Sequence, residues 1–303
     1  MKAVTKLTFL NHEGEKFFGE GPARLLRSIE DTGSLRASAM SMNMAYSKAL
    51  RILKKAEDAL GFPLTTRCAG GRSGGGSTLT AEGRAWLARY EACRDACAAA
   101  NQAIVRQFFP KVGCVIMASG LGKRFGGNKL MADFAGKPLF LRALEASEGL
   151  KDHRVVVTRH ADVAEICRDL GVNVILHQLP NRNDTVRLGL EALGDLDGCL
   201  FLPADQPLLR RETVDGLVKA WENDRESILR PIHEDTPGAP VLFPAWAFPA
   251  LRTLPEGKGG GWIIRNQSDR VKLLEVEDEF ELMDADTPEL LAVLERRFHD
   301  SQT

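Results

Sequence analysis

No apolar run in this 303-residue sequence approaches the ~20 residues that a membrane-spanning helix needs. The opening stretch MKAVTKLTFLNHEGEKFF lacks the apolar core of a secretory signal. The two absences predict a cytoplasmic protein with no membrane partner. The six cysteines form no CxxC pair, and the six histidines no HExxH, which excludes the common zinc sites and gives no disulfide framework. Cys93 and Cys97 stand four apart on one helix face, and the cysteines are expected to be buried free thiols. There is no internal repeat.

What is present divides in two. Residues 1–110 hold 16 Lys/Arg against 10 Asp/Glu, and the remainder 24 against 31. A basic half joined to an acidic half suggests a nucleic-acid partner for the former. The seam is Pro110-Lys111. Before it, residues 81–109 read as one long helix, striped by Trp86, Tyr90, Cys93, Cys97, Ala100, Ile104 and Phe108 at helical spacing. Pro110 stops that helix. After it, the apolar runs VGCVIMA, RVVVT, VNVIL and CLFLP alternate with helical patterns near 138–149, 161–170 and 184–193. Such alternation predicts an α/β domain at 111–303, a mostly parallel sheet covered on both faces.

Within the basic half, Leu25, Leu26 and Ile29 stripe a first helix, which Gly33 stops. Ser34 caps the short second helix, LRASAMS, and a tight turn at Met42-Asn43 leads into a longer basic helix from Met44. Two helices so joined form a helix-turn-helix, whose second helix would bring Tyr46, Ser47, Lys48 and Arg51 to duplex DNA. The segment CAGGRSGGGST, five glycines in seven positions, lies between two short β-rich arms. It fits neither a Walker loop nor GxGxxG. It reads as a hairpin, the wing of a winged helix, with Arg67 and Arg72 toward DNA phosphate or the minor groove. Residues 21–92, through GPARLLRSIEDTGSLRASA, YSKALRILKKAE and PLTTRCAGGRSGGGSTLTAEGRAWLARYE, resemble the N-terminal domain of molybdate-dependent transcriptional regulators. The resemblance implies a winged helix that dimerises on an operator. Nothing resembles their molybdate-binding domains.

A second glycine cluster, MASGLGKRFGGNK, follows the strand VGCVIMA with the spacing Gly120-x-Gly122-x-Arg124-x-Gly126-x-x-Lys129. Glycines after a strand let backbone N–H groups approach phosphate oxygens, and two cations then stand where a triphosphate would lie. Asp205, in LPADQPLL, falls just past the strand CLFL, at the sheet end where ligands of parallel sheets bind. A carboxylate there can hold Mg²⁺ together with substrate phosphates. In MDADTPELL, Pro288 suits the first helical position and Thr287 the cap, leaving Asp286 for other work.

From about residue 112 to 295 the chain resembles the nucleotidyltransferases built on a Rossmann-like three-layer sheet, and among them the molybdenum-cofactor nucleotidyltransferases. The resemblance implies that Ala118, Ser119, Gly120 and Gly122 line the nucleotide, that Arg124 and Lys129 bind the triphosphate, and that Asp205 and Asp286 hold the metal. Arg182, Asp184 and Thr185, in NRNDTVRLGL, match a nucleotide-contacting element that is similar to cytidylyltransferases of isoprenoid-precursor synthesis. Thr185 and Gly189 form its Ser/Thr-x-x-x-Gly pattern. The implied activity is transfer of CMP from CTP to the phosphate of molybdopterin carrying molybdenum. GTP is the alternative donor: guanylyl relatives usually carry glycine where Ser119 stands, and cytidylyl relatives alanine.

Two departures bear on the acceptor. Gly238-Ala239-Pro240 replaces the Gly-His-Pro of many relatives, and EGKGGG at 256–261 replaces Gly-Asp-x-Gly-Ala-Arg. A sugar or polyol phosphate is an alternative acceptor. A reading of another class is a DNA-binding regulator whose transferase fold only senses a nucleotide or cofactor.

Overall fold

The computed structural model describes residues 4–68 and 76–301, without the side chains of Cys68 and Arg182. Its backbone divides into two compact units, Met1–Phe108 and Phe109–Thr303. Among the described residues no helix is long and apolar enough to cross a membrane.

The first unit opens with a hairpin, β1 (Thr8–Leu10) and β2 (Lys16–Gly19). Three helices follow, α1 (Glu20–Thr32), α2 (Leu35–Ser41) and α3 (Tyr46–Leu60). Then come β3 (Thr65–Cys68), β4 (Gly76–Leu79) and the long α4 (Ala81–Phe108). The stripe on α1 is what its spacing predicts: Leu25, Leu26 and Ile29 are fully buried. Gly33 ends α1 in the left-handed region at φ 65°, and the Ser34 side chain accepts from Ala37 N, capping α2. Asn43 takes φ 52° in the turn before α3, a conformation asparagine tolerates better than most residues. β3 and β4 pair antiparallel from Thr65↔Leu79 to Cys68↔Gly76, which makes the two arms of the wing. This is a winged helix-turn-helix.

The β1–β2 hairpin is not anticipated by any pattern in its own residues. It supplies Phe9 and Phe18, which meet Trp86 and Tyr90 of α4 with ring centroids 5.0–6.1 Å apart. Tyr90 also donates to Leu7 O at 3.3 Å. Among the described residues, Trp86, Leu87 and Tyr90 of the first turns of α4 are packed into this core. Farther along, Ile104 and Phe108 are exposed. The expectation of buried thiols fails on the same helix: Cys93 is exposed and Cys97 half-exposed, whereas Cys114, Cys167 and Cys199 are buried. A helical stripe marks an apolar face, but not whether anything covers it.

The second unit runs β5 (Val112–Ala118), β6 (Asp133–Phe134), β7 (Lys137–Pro138), α5 (Leu141–Ala146), β8 (Arg154–Thr158), α6 (Ala161–Asp169), β9 (Val174–Leu176), α7 (Arg182–Leu193), β10 (Gly198–Pro203) and α8 (Arg211–Asn223). It continues with β11 (Ile228–His233), β12 (Thr236–Pro237), β13 (Val241–Pro244), α9 (Phe248–Arg252), α10 (Gly261–Asn266), β14 (Val271–Glu275) and α11 (Pro288–Asp300). Among the described residues, eight strands form one sheet in the order β12-β11-β13-β10-β5-β8-β9, with β14 beside β11. β10, β5, β8 and β9 are parallel, and β13 runs antiparallel to β10 and β11. The helix expected at 138–149 is shorter: after Ala146 the Ser147 hydroxyl donates back to Ala143 O at 2.6 Å and a 3₁₀ turn follows.

Strand alternation sorts the core into two layers. From β5, Cys114, Ile116 and Ala118 point to the side of α5, α6 and α8, where Val163, Leu217 and Trp221 are buried. Val115 points to the side of α7 and α9, with Leu190, Phe201, Phe243 and Phe248. A sheet filled on both faces leaves its strand ends for chemistry. β5, β8, β9 and β10 end on one edge, and the loops there carry the residues singled out above.

Candidate functional site

Residues 119–128 cross from β5 to a short 3₁₀ turn at Lys129–Met131. The turn within this loop is held by bonds from Phe125 N and Gly126 N to Gly122 O, at 2.9 and 3.0 Å. Gly122 has φ 57°, and a Cβ there would run into the carbonyl of Gly127; this position requires glycine on both counts. Gly120 has open space instead. Its carbonyl takes a bond at 2.8 Å from His160 Nε2. Asn128 anchors the far end, donating to both Asp162 oxygens at 3.0 and 2.9 Å while its side chain accepts from Leu130 N. Ala118, the last residue of β5, is buried and accepts from Thr158 Oγ1 at 2.9 Å.

Lys129 is thereby aimed across the strand ends. Its ammonium sits 2.6 Å from Asp205 Oδ2 and 2.9 Å from Asp286 Oδ1. Arg124 reaches the other Asp286 oxygen at 2.8 Å with most of its side chain in solvent. Burial alone would lower the Lys129 pKa, but Asp205 and Asp286 outweigh it and hold the group above its ordinary value. The acids come from two segments tied by backbone: Ala285 N donates to Asp205 O at 2.8 Å. Thr287 caps α11 by accepting from Leu290 N at 3.2 Å, with Pro288 in the first turn. The cap expected from the sequence is present, and Asp286 is turned to the two cations instead.

Asp284, in the same segment, is mostly buried. Burial first, and then the negative charge of Asp205, push its pKa up to about 6. Gln206 lies beside it, buried, donating to Leu282 O at 3.0 Å. The Gln206 side-chain oxygen has no hydrogen-bond partner among the described residues.

The other nucleotide candidates lie in the first turn of α7. Asn181 is the cap of α7, and Asp184 closes the capping box by accepting from Asn181 N at 3.1 Å. Asp184 also pairs with Arg187 at 3.3 Å. Thr185 is buried in the first turn. The Arg182 side chain lies outside the described residues. Gly189 has a packing reason for being glycine, since a Cβ would press on Val115 of β5. Sequence reading missed His177, the first residue after β9, which reaches back to Ser119 at 2.9 Å. Its position at a parallel strand end, the same as that of Ser119 and Asp205, was the available signal.

Asp205 and Asp286 share one cation position, with oxygen donors only. That donor set suits a hard divalent metal that completes its shell with phosphate oxygens and water. Among the described residues no three histidine, cysteine or acidic side chains form a metal-binding group by themselves.

In the first unit, α3 buries Ala49, Leu53 and Ala56. Tyr46, Ser47, Lys48 and Arg51 are exposed. Beside them a groove of about 650 Å³ separates α3 from the β1–β2 hairpin, with Phe17, Arg51 and Lys54 in its walls. Lys55 bridges it to Glu15 at 2.8 Å. Arg67 on β3 is exposed, and Arg72 lies outside the described residues.

Residues 114–271, just over half of the chain, match the model of the MobA-like NTP transferase domain. Residues 23–84 match that of the bacterial regulatory helix-turn-helix protein, lysR family. A mitochondrial 3-deoxy-manno-octulosonate cytidylyltransferase of Arabidopsis thaliana is 36% identical over 39% of this chain and 42% of its own length. A probable molybdenum cofactor guanylyltransferase of Thermococcus kodakarensis is 32% identical over 37% of this chain and 54% of its own. The chain thus spans about half the length of these relatives. The molybdenum transport protein ModE of Azotobacter vinelandii is 39% identical over 23% of this chain and 26% of its own. In fold, the chain is similar to molybdopterin-guanine dinucleotide biosynthesis protein A from Archaeoglobus fulgidus, with TM-score 0.50 and 22% identity over 62% of this chain and 99% of that one.

Proposed function

Since the chain belongs to the MobA-like NTP transferase domain family, we propose that its second unit transfers a nucleotide from a nucleoside triphosphate to a phosphomonoester, releasing pyrophosphate. One observation carries this reading: the Lys129 ammonium lies between Asp205 and Asp286 at 2.6 and 2.9 Å, with Arg124 on the same Asp286. Two cations and two acids converge at the open end of a parallel sheet, beside a loop whose glycines leave room for phosphate oxygens. A triphosphate arriving there takes Lys129 and Arg124 as partners, and Asp205 and Asp286 would then be free to hold Mg²⁺. Bound to Asp205 and Asp286, Mg²⁺ supplies neutralisation of the charge that develops on departing pyrophosphate.

The acceptor needs no activation by a base. A phosphomonoester has its second pKa at about 6 and is already largely dianionic near neutrality. What remains for the protein is alignment and electrostatic stabilisation, which Lys129 and Arg124 provide.

The acceptor in this reading is molybdopterin carrying molybdenum. The family supports it, as does the likeness of the first unit to a molybdenum transport regulator. The donor is CTP, supported by Ser119, whose side chain occupies a place where guanylyl relatives usually have none. A second reading, GTP, is favoured by relatives such as the probable guanylyltransferase of Thermococcus kodakarensis.

The first unit binds duplex DNA through the exposed face of α3 and the wing, as a homodimer joined along the exposed apolar stripe of α4. The whole chain then couples cofactor chemistry to transcription in the cytoplasm. The deciding experiment mixes the full chain with Mg²⁺, each nucleoside triphosphate and candidate phosphomonoesters, then follows pyrophosphate and product mass. Absence of pyrophosphate with every pair, while operator DNA is bound, would sink the transferase reading in favour of a nucleotide-sensing regulator.

A further inference from the structure

A chain of three hydrogen bonds joins the end of β9 to the glycine loop, and the transferase chemistry does not use it. Leu179 N donates to His177 Nδ1 at 3.2 Å. His177 Nε2 lies 2.9 Å from Ser119 Oγ. Ser119 Oγ donates to Val157 O at 3.1 Å. The directions are forced. A carbonyl only accepts, so the hydroxyl proton belongs to Val157. A backbone N–H only donates, so Nδ1 must offer its lone pair and the imidazole proton sits on Nε2, which donates to Ser119. Neutral imidazole alone completes the chain. His177 is itself pinned, since its backbone N–H reaches Thr158 O at 3.0 Å.

We propose that His177 is a positioning residue of the donor-nucleotide pocket, turning the Ser119 hydroxyl away from the nucleotide and holding residues 118–122 at a fixed spacing from the segment 179–185 that opens α7. The proposal rests on the reading that this pocket takes a nucleotide. It belongs to this chain in particular, because the glycine or alanine usual at position 119 offers no hydroxyl for an imidazole to hold. With both its proton and a lone pair engaged, Ser119 presents the pocket with its Cβ rather than a free donor. The base is then selected by shape.

The charges facing the ring are Arg159 after β8 and Asp184 and Arg187 on α7. Burial, then Arg159, lower the His177 pKa, with Arg187 adding to this and Asp184 opposing. The net shift is downward from 6.5, so the ring stays neutral through neutral pH. Acidification through the lowered value places a second proton on Nδ1, facing the Leu179 N–H, and breaks the chain. Nucleotide affinity is therefore level near neutrality and falls only on the acid side.

The test is calorimetric titration of the full chain with CTP or GTP and Mg²⁺, without acceptor, across about pH 5 to 8. His177→Phe and Ser119→Ala each weaken binding of the preferred nucleotide by about five- to tenfold, the effect of one lost hydrogen bond between neutral groups. The double variant is no weaker than either single, because both remove one interaction. His177→Gln keeps a donor toward Ser119, retains affinity and loses the acid-side fall. Parental affinity in a folded His177→Phe, or additive losses in the double variant, overturns the proposal and leaves the transferase reading standing. A parent protein that binds neither nucleotide overturns both.

Discussion

Lys129 Nζ lies 2.6 Å from Asp205 Oδ2, so a lysine delivered by the loop after β5 meets an acid delivered by the end of β10. β5 and β10 are neighbouring parallel strands, so the pair bridges two adjacent strand ends. Asp205→Asn keeps the shape and removes the charge. The expected result is loss of nucleotidyl transfer by about a thousandfold or more, since a metal ligand contributes several kcal/mol to the transition state. DNA affinity stays unchanged, because Asp205 belongs to the second unit. Pyrophosphate release at limiting Mg²⁺ measures the first and gel shift the second. Near-normal turnover would rule out the metal role.

Asp284 gives a stability prediction with a defined sign. Its pKa rises from 3.8 to about 6 through burial and the charge of Asp205. A raised carboxyl favours the folded state when protonated. Its contribution is complete below 3.8 and is lost as pH rises through about 6. At neutral pH the buried carboxylate is a cost. Asp284→Asn removes that cost and keeps an oxygen to accept from Gln206. The variant should unfold at higher temperature than the parent near pH 7.5, by on the order of 2 kcal/mol in stability. The difference should shrink as pH is lowered through 6. A variant less stable than the parent at every pH would refute the strain at Asp284.

Much of this was legible in the sequence, and what was not has physical reasons. The stripe of Leu25, Leu26 and Ile29 and the caps at Ser34 and Thr287 are local signals, and local structure obeys them. The runs VGCVIMA, RVVVT and CLFLP are buried almost throughout, so they read as strands without any partner in view, whereas VNVIL, at the edge of the sheet, is only half-buried. β11 to β14 lie at the sheet's antiparallel side, where shorter runs interrupted by Pro231, Glu234 and Gly238 give no such pattern. The β1–β2 hairpin turns through Asn11 and Gly14, and its worth comes from Trp86 and Tyr90, far along the chain. In the proposed site, spacing and a strand end flag Lys129, Arg124 and Asp205, and the cap at Thr287 leaves Asp286 over; the structure brings the four side chains together. His177 was missed because a lone histidine carries no pattern until its neighbours are known.

The DNA interface predicts a salt effect. Lys48 and Arg51 are exposed on α3, and neither is engaged in a salt bridge among the described residues. If both meet phosphate, Lys48→Ala and Arg51→Ala each weaken binding across all sequences. Each should reduce the slope of log affinity against log salt by about one. Fluorescence anisotropy on a genomic operator fragment at several salt concentrations measures both. A parental slope in both variants would show that α3 does not face the phosphates.

The proposed preference for CTP puts Ser119 to the test. Its hydroxyl is committed to Val157 and His177, yet its Cβ remains at the start of the glycine loop, where the proposed nucleotide would lie. A side chain there crowds a purine more than a pyrimidine. Apolar fit of this kind discriminates by about 1–3 kcal/mol, roughly 10- to 200-fold, so GTP should still react slowly. Ser119→Gly removes the Cβ and releases His177 together. The expected outcome is a narrower ratio of kcat/KM for CTP over GTP with the same acceptor, mainly through better use of GTP. Equal values in the parent, or a parental preference for GTP, would refute the cytidylyl assignment. The roles of Lys129 and Asp205 would survive that result, because they act on phosphates common to both nucleotides.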